Sequence, residues 1–307
     1  MRVLVVGAGV IGSVYAGRLI DEGHSVTLCA RGHRLDELHQ SGLILENTQT
    51  GQRTRHEVDA LQIPAAGTAY DVALVAVRHD QMLPALPLLA NLAADVVFFG
   101  NAAGLTDQLS DALGDRALFG FPAAGGVREG PVVRYVLIRQ QKTMLADTVD
   151  RSSPRIRALA ATFGAAGFPT HVSADAEAWL TAHAAFIVPI GFALYRVDVQ
   201  PARLAADRAL LATMVRATRQ GFRALQAIGN TEIPRNLRVL YQWLPLGFAV
   251  RYWHATLAGP RGELWFAGHT RAAPEEMASL AEALRAAVHR GGRPAPDLEA
   301  LVGERLR

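Results

Sequence analysis

Met1-Arg2-Val3-Leu4-Val5-Val6 runs straight into Gly7-Ala8-Gly9-Val10-Ile11-Gly12, and this stretch decides the fold. Val3 to Val6 is an unbroken apolar run, the pattern of a strand buried on both faces. The glycines are spaced G-x-G-x-x-G between that strand and an amphipathic stretch beginning at Val10. Gly7 permits a tight turn, Gly9 removes a Cβ where backbone would approach a phosphate, and Gly12 lets helix and strand pack closely. The backbone around Val10 and Ile11 then offers helix-start N–H groups and a positive partial charge to an anion. The expected ligand is a dinucleotide pyrophosphate.

Outward from this loop, apolar runs alternate with amphipathic ones for about 140 residues. Strands are expected at Arg2–Val6, Ser25–Cys29, Val72–Val75, Val96–Phe99, Ala117–Gly120 and Val132–Ile138. Helices are expected at Val10–Glu22, His33–Gln40, Gln81–Leu92 and Leu105–Leu113. The alternation predicts an α/β fold with a parallel, doubly wound sheet, a Rossmann domain. Leu43–Val58 fits a β-ribbon turning at Asn47–Gly51. After a connecting helix at Pro154–Gly164 the pattern becomes helical: Ala174–Tyr195 with a kink at Pro189, then Ala202–Ile228, Arg235–Leu257 and Pro274–His289. A boundary near Thr170 divides the chain into a Rossmann domain, 1–170, and an all-helical C-terminal domain, 171–307. Gly291–Pro296 reads as a loop, and the last residues as a frayed end.

The end of the second strand selects the cofactor. A site for NAD usually places an acid there to hold the ribose hydroxyls. Here the run is Cys29-Ala30-Arg31-Gly32-His33-Arg34, without an acid at the strand end. A guanidinium can engage a 2′-phosphate through several donors. Arg31, with Arg34 one turn further, therefore favours NADP(H), unless Arg31 is simply a solvated residue at a helix start.

Composition narrows the function classes. Cys29 is the single cysteine, so neither an intrachain disulfide nor a cysteine-based zinc site is expected, and no metal site is expected elsewhere. The formal charge is +3, and Lys142 is the one lysine among 31 Lys and Arg residues, which are spread along the chain. A nucleic-acid surface needs a concentrated basic face, so no nucleic-acid partner is expected. The opening reads as a strand rather than a signal peptide, and Ala184–Leu194 is too short to span a bilayer. The expectation is a cytoplasmic protein without a membrane partner. Trp243, Phe248, Tyr252 and Trp253 form either core or, if exposed together, the face of a homodimer.

The chain resembles the ketopantoate reductase (2-dehydropantoate 2-reductase) family. The resemblance rests on the Gly7–Gly12 loop, on Cys29-Ala30-Arg31-Gly32 and on Val75-Ala76-Val77-Arg78 with Gln81. It also rests on Asn101-Ala102-Ala103-Gly104, on Ala178-Trp179-Leu180 and, more loosely, on Arg261-Gly262-Glu263. It implies a Rossmann domain plus a helical domain, and reduction of a 2-oxo acid by NADPH in the cleft between them. It also implies that Arg78, Gln81 and Asn101 lie near the cofactor, with Asn101 also near the substrate, and that Glu263 binds the substrate's hydroxyl end. The family's proton-donating Lys should stand two residues after Trp179, where this chain has Thr181. The family's further Asn residues on that helix would match Ala185 and Pro189. Phe119–Gly126, small and apolar where the family has a Thr-rich stretch, points with Ala185 and Pro189 to a less polar cleft, or else to drift in a remote loop.

Reduction of a ketone needs a hydride donor and a group that protonates or stabilises the alkoxide. Thr181, His183 and Glu263 are the candidates beside Asn101. Thr181 is a weak acid that could instead bond back to its own helix. His183 points about 200° away from Thr181 by helical geometry, and could equally be a core histidine. Glu263 could act as an acid if desolvated, or be a solvated loop carboxylate. The function expected is an NADPH-dependent reductase of a 2-oxo acid or related small carbonyl compound. The alternative is a catalytically impaired NADP(H)-binding sensor or regulatory protein.

Overall fold

The computed structural model describes residues 1–64, 67–138, 141–150 and 152–303. The expected frayed end, 304–307, lies outside the described residues. Two compact units result, Met1–Ala176 and Glu177–Arg307.

Among the described residues, the first unit holds twelve strands. In chain order they are β1 (Arg2–Val6), β2 (Ser25–Cys29), β3 (Leu43–Asn47), β4 (Arg53–His56), β5 (Asp59–Leu61), β6 (Val72–Val75), β7 (Asp95–Phe99), β8 (Ala117–Phe121), β9 (Ala124–Glu129), β10 (Val132–Leu137), β11 (Thr143–Asp147) and β12 (Thr170–Val172). Its helices are α1 (Val10–Asp21), α2 (His33–Ser41), α3 (His79–Leu89), α4 (Thr106–Leu113) and α5 (Pro154–Ala165). The main sheet has the order β12-β11-β8-β7-β6-β1-β2-β5. From β5 to β8 it is parallel throughout, and only the β11–β8 pairing is antiparallel. The strand order reverses between β1 and β6, which is where a doubly wound sheet opens a ligand crevice.

Helix α1 explains why the unit holds together. The expected ribbon is present as β3 and β4, and it joins β10 and β9 in a second sheet, β4-β3-β10-β9. Helix α1 lies between this sheet and the main one, burying Gly12, Ser13, Val14, Tyr15, Ala16, Gly17 and Leu19. A Cβ on Gly17 would come within 2.4 Å of Leu45 Cδ1, so the second sheet presses directly on the helix. Tyr15 stacks on Phe168 at 3.8 Å, and its hydroxyl is 2.5 Å from Thr143 Oγ1. Asp147, fully buried on β11, accepts two hydrogen bonds from Arg155 at 2.8 and 3.0 Å and one from Ser153 Oγ at 2.7 Å, anchoring α5.

The second unit is helical: α6 (Ala176–Tyr195), α7 (Pro201–Ala206), α8 (Arg208–Ala227), α9 (Arg235–Arg238), α10 (Leu246–Ala258), α11 (Pro260–Gly262), α12 (Gly268–Ala272), α13 (Pro274–Arg290) and α14 (Pro296–Val302). Two π turns, Val239–Trp243 and Glu263–Ala267, extend α9 and link α11 to α12. Helix α6 runs through Pro189, and most of its apolar residues are buried. By length and composition α6 could cross a membrane, but 78% of its apolar window is buried inside the protein, as suits a central core helix. The expected helix Ala202–Ile228 is two helices, because Asp207 leaves helical geometry and its carboxylate caps α8 at Leu210 N, 2.9 Å away. Pro245 likewise divides the expected helix Arg235–Leu257.

Candidate functional site

The glycine loop leaves β1 at the strand-order reversal. Gly7 has φ +108°, in the left-handed region, and a Cβ there would meet Ala76 O at 2.5 Å. Its N–H donates to Cys29 O at 3.2 Å. A Cβ on Gly12 would lie 1.9 Å from Gly7 O, so only glycine lets α1 start this close to the turn. Gly9 is different: a Cβ there would have nothing within 4 Å. Gly9 caps α1 without a side-chain hydrogen bond, which leaves the first turn, at Val10 and Ile11, uncapped by any side chain. A cradle closed behind by Gly7 and Gly12 and open at Gly9 fits a pyrophosphate.

Arg31 follows β2 and is exposed, with Gly32 (φ +53°) leading into α2. Arg34 is not beside it in role. Its side chain is only 9% exposed, and Nε donates to Ala8 O at 3.2 Å, Nη1 to Glu37 and Pro131 O, and Nη2 to Ser13 Oγ at 3.3 Å. These bonds turn the guanidinium toward the loop rather than toward an adenosine phosphate. Glu37 also pairs with Arg128 at 2.7 Å and with His33 Nδ1 at 3.1 Å. Burial opposes the Glu37 charge, but the Arg34 hydrogen bond and the charge of Arg128 hold its carboxyl below the usual range. This network was missed in the sequence; Glu three residues after Arg on a helix was its one visible sign.

Arg78 is the exposed N-cap of α3, and Gln81 N bonds its carbonyl at 2.9 Å. Asn101 follows β7 and is 6% exposed. His79 Nε2 donates to Ala103 O at 3.0 Å, so the start of α3 is tied to the Asn101 loop. The structure thus brings Gly7–Gly12, Arg78, Gln81 and Asn101 to the carboxyl ends of neighbouring strands β1, β6 and β7.

In the second unit, Thr181 is buried and its hydroxyl donates to Glu177 Oε1 at 2.8 Å, a side-chain partner rather than its own helix backbone. His183 stacks on Trp179, with ring centroids 5.5 Å apart, and meets Phe186 edge-on. Burial, with a smaller push from His269, drives its imidazole down to about 3, so it is neutral at physiological pH. Glu263 begins a π turn, is half exposed, and pairs with Arg271 Nη1 at 2.8 Å. Within its own unit it is ion-paired, not desolvated. Ala185 is fully buried against α8, where a Cβ on Gly221 would lie 3.3 Å from its own Cβ. It is a helix-crossing position rather than the cleft lining expected. Ala124, Gly125 and Gly126 belong to β9 and pair with β10, so this part of the apolar stretch serves the second sheet. Of the four aromatics, Trp253 is core, while Trp243, Phe248 and Tyr252 are exposed.

Residues 3–148 match the family described as Ketopantoate reductase PanE/ApbA. A 2-dehydropantoate 2-reductase from Pyrococcus horikoshii is 26% identical over 228 residues, 72% of this chain and 72% of that protein. The crystal structure of 2-dehydropantoate 2-reductase from Geobacter metallireducens superposes with a TM-score of 0.80 at 18% identity, covering 99% of each chain. D-mandelate dehydrogenase, solved with NADH and anilino(oxo)acetate, gives a TM-score of 0.76 at 15% identity, over 99% of this chain and 96% of that one. At these identities the two structures speak for the fold.

Proposed function

We propose that this chain, whose residues 3–148 match the ketopantoate reductase family, is an NADPH-dependent reductase of a 2-oxo acid or related carbonyl compound. The observation that carries the reading is the glycine cradle at the β1–β6 reversal, open only at Gly9, with exposed Arg31 beyond β2. The cofactor, when bound, supplies a hydride to the carbonyl carbon. The chain's own part is to bind, orient and stabilise charge.

The N–H groups from Gly9 to Gly12 receive the pyrophosphate. Arg31 grips the 2′-phosphate with a fork of donors. Arg78, Gln81 and Asn101 hold the reacting end. Of the second unit's candidates, His183 would act as a neutral hydrogen-bond donor rather than a charged acid. Thr181 would offer a hydroxyl held by Glu177, and Glu263 with Arg271 a polar contact for substrate.

The test is NADPH oxidation by the full chain with a panel of 2-oxo acids that includes ketopantoate and phenylglyoxylate. Turnover of at least one, faster with NADPH than with NADH, is expected; no turnover with any overturns the reading. The second reading, an NADP(H)-binding sensor, is favoured by one observation: Thr181, His183 and Glu263 are respectively engaged, neutral and ion-paired. Tight NADPH binding without turnover would select it.

A further inference from the structure

We propose that Arg34 is a positioning residue that sets the glycine loop for the pyrophosphate, with Glu37 and the second sheet holding it in place; the inference rests on the dinucleotide reading above. The Ala8 carbonyl accepts from Arg34 Nε at 3.2 Å and from Ser13 Oγ at 3.3 Å. Both donors are buried, so this oxygen is drawn into the protein. A trans peptide is planar, and its N–H points opposite to its C=O. No peptide bond among the described residues is cis. Fixing Ala8 O inward therefore aims the Gly9 N–H the opposite way, at a residue whose own Cβ position is unobstructed. A loop that could rotate this peptide would instead present a carbonyl oxygen to the phosphates and repel them.

The guanidinium is held from behind. Glu37 Oε2 takes bonds from Arg34 Nη1 at 3.1 Å and from Arg128 Nη1, on β9, at 2.7 Å. Pro131 O, in the turn between β9 and β10, accepts from Arg34 Nη1 at 3.2 Å. A buried charge persists only when paired and hydrogen-bonded, and this arrangement satisfies all three guanidinium nitrogens. It gives the second sheet a role in binding: its hairpin locks Arg34, and Arg34 locks the loop.

The test compares NADPH, NADH and adenosine 2′-monophosphate, which has a 2′-phosphate but no pyrophosphate, by titration of the full chain. Arg34→Met is expected to weaken NADPH and NADH alike, by about tenfold to a hundredfold for loss of charged hydrogen bonds, and to leave adenosine 2′-monophosphate within twofold. Arg34→Lys keeps the charge but not the fork, and should fall between Met and wild type. Unchanged NADH binding in Arg34→Met, or equal loss of NADH and adenosine 2′-monophosphate, overturns the proposal. If Arg34→Met does not fold, Ser13→Ala removes the second donor to Ala8 O. It should weaken NADH several-fold with adenosine 2′-monophosphate unaffected, and no change overturns the proposal equally. Arg31→Met separates the two readings, being expected to weaken NADPH and adenosine 2′-monophosphate but not NADH. If it leaves NADPH untouched, the NADP assignment fails while the Arg34 result on NADH still stands.

Discussion

Alanine at Gly9 and at Gly12 should have opposite consequences, and the contrast isolates the ligand from the fold. Gly9 has φ −74° and ψ −165°, extended backbone open to any L-residue, and its Cβ would enter empty space. In the ligand-free protein, Gly9→Ala gains about 0.4–1 kcal/mol from a stiffer unfolded chain and loses a similar amount because alanine is a poorer N-cap. The net lies within about 1 kcal/mol, or roughly 2–4 °C in Tm for a unit of this size. Gly12→Ala instead places a Cβ 1.9 Å from Gly7 O, where ordinary contact begins at 3.4 Å. The obstacle is backbone, so α1 must move, at a cost of about 1–3 kcal/mol or more. NADPH at a hundredfold excess over its Kd stabilises wild type by about 2.7 kcal/mol. Thermal denaturation with and without NADPH is the assay. Gly9→Ala should keep its Tm and lose the NADPH shift, while Gly12→Ala should lose Tm outright. A full NADPH shift in Gly9→Ala, or a wild-type Tm in Gly12→Ala, refutes the reasoning.

Asp147→Asn should destabilise the first unit by about 3 kcal/mol, at the lower end for a broken buried pair because Arg155 keeps Asp95 at 2.9 Å; a shift in the urea midpoint measures it. His183 gives the second unit a pH dependence. Its folded pKa, about 3, lies below the unfolded 6.5, so the unfolded chain binds the extra proton between these values. The stability due to the neutral ring is complete above pH 6.5 and is lost as pH falls toward 3, by about 1.4 kcal/mol per pH unit. Denaturation at pH 7.5 and pH 5.5 should show this loss in wild type and a smaller one in His183→Phe; equal losses would contradict it.

The first unit was largely legible because its signals are local. An apolar run, three glycines and a helical period fix β1, the loop and α1 within a dozen residues, and the Leu43–Val58 ribbon carries its own turn. Strands β5, β9, β11 and β12 were not seen, since Ala124-Gly125-Gly126 has little strand propensity and β5 and β12 have only three residues each. Strands β5, β11 and β12 take their place from partners more distant in the chain, β5 from β2, β11 from β8 and β12 from β11, while β9 takes its place from the hairpin with β10. The break at Asp207 was hidden because the apolar spacing continues across it while the capping carboxylate does not. Arg31 and Arg34 looked alike as sequence; only the tertiary contacts of Arg34 with Ala8, Ser13 and Pro131 separate them. Ala185 shows the same limit, since its match to a polar family position says nothing of Gly221 packed against it.

The most direct test of the account follows the hydride itself. The full chain is mixed with NADPH deuterated at the transferable C4 position and with the 2-oxo acid panel, and the products are weighed by mass spectrometry. The account predicts one deuterium on C2 of a 2-hydroxy acid, formed in step with NADP+. Bound NADPH with no deuterated hydroxy acid from any member of the panel would contradict it.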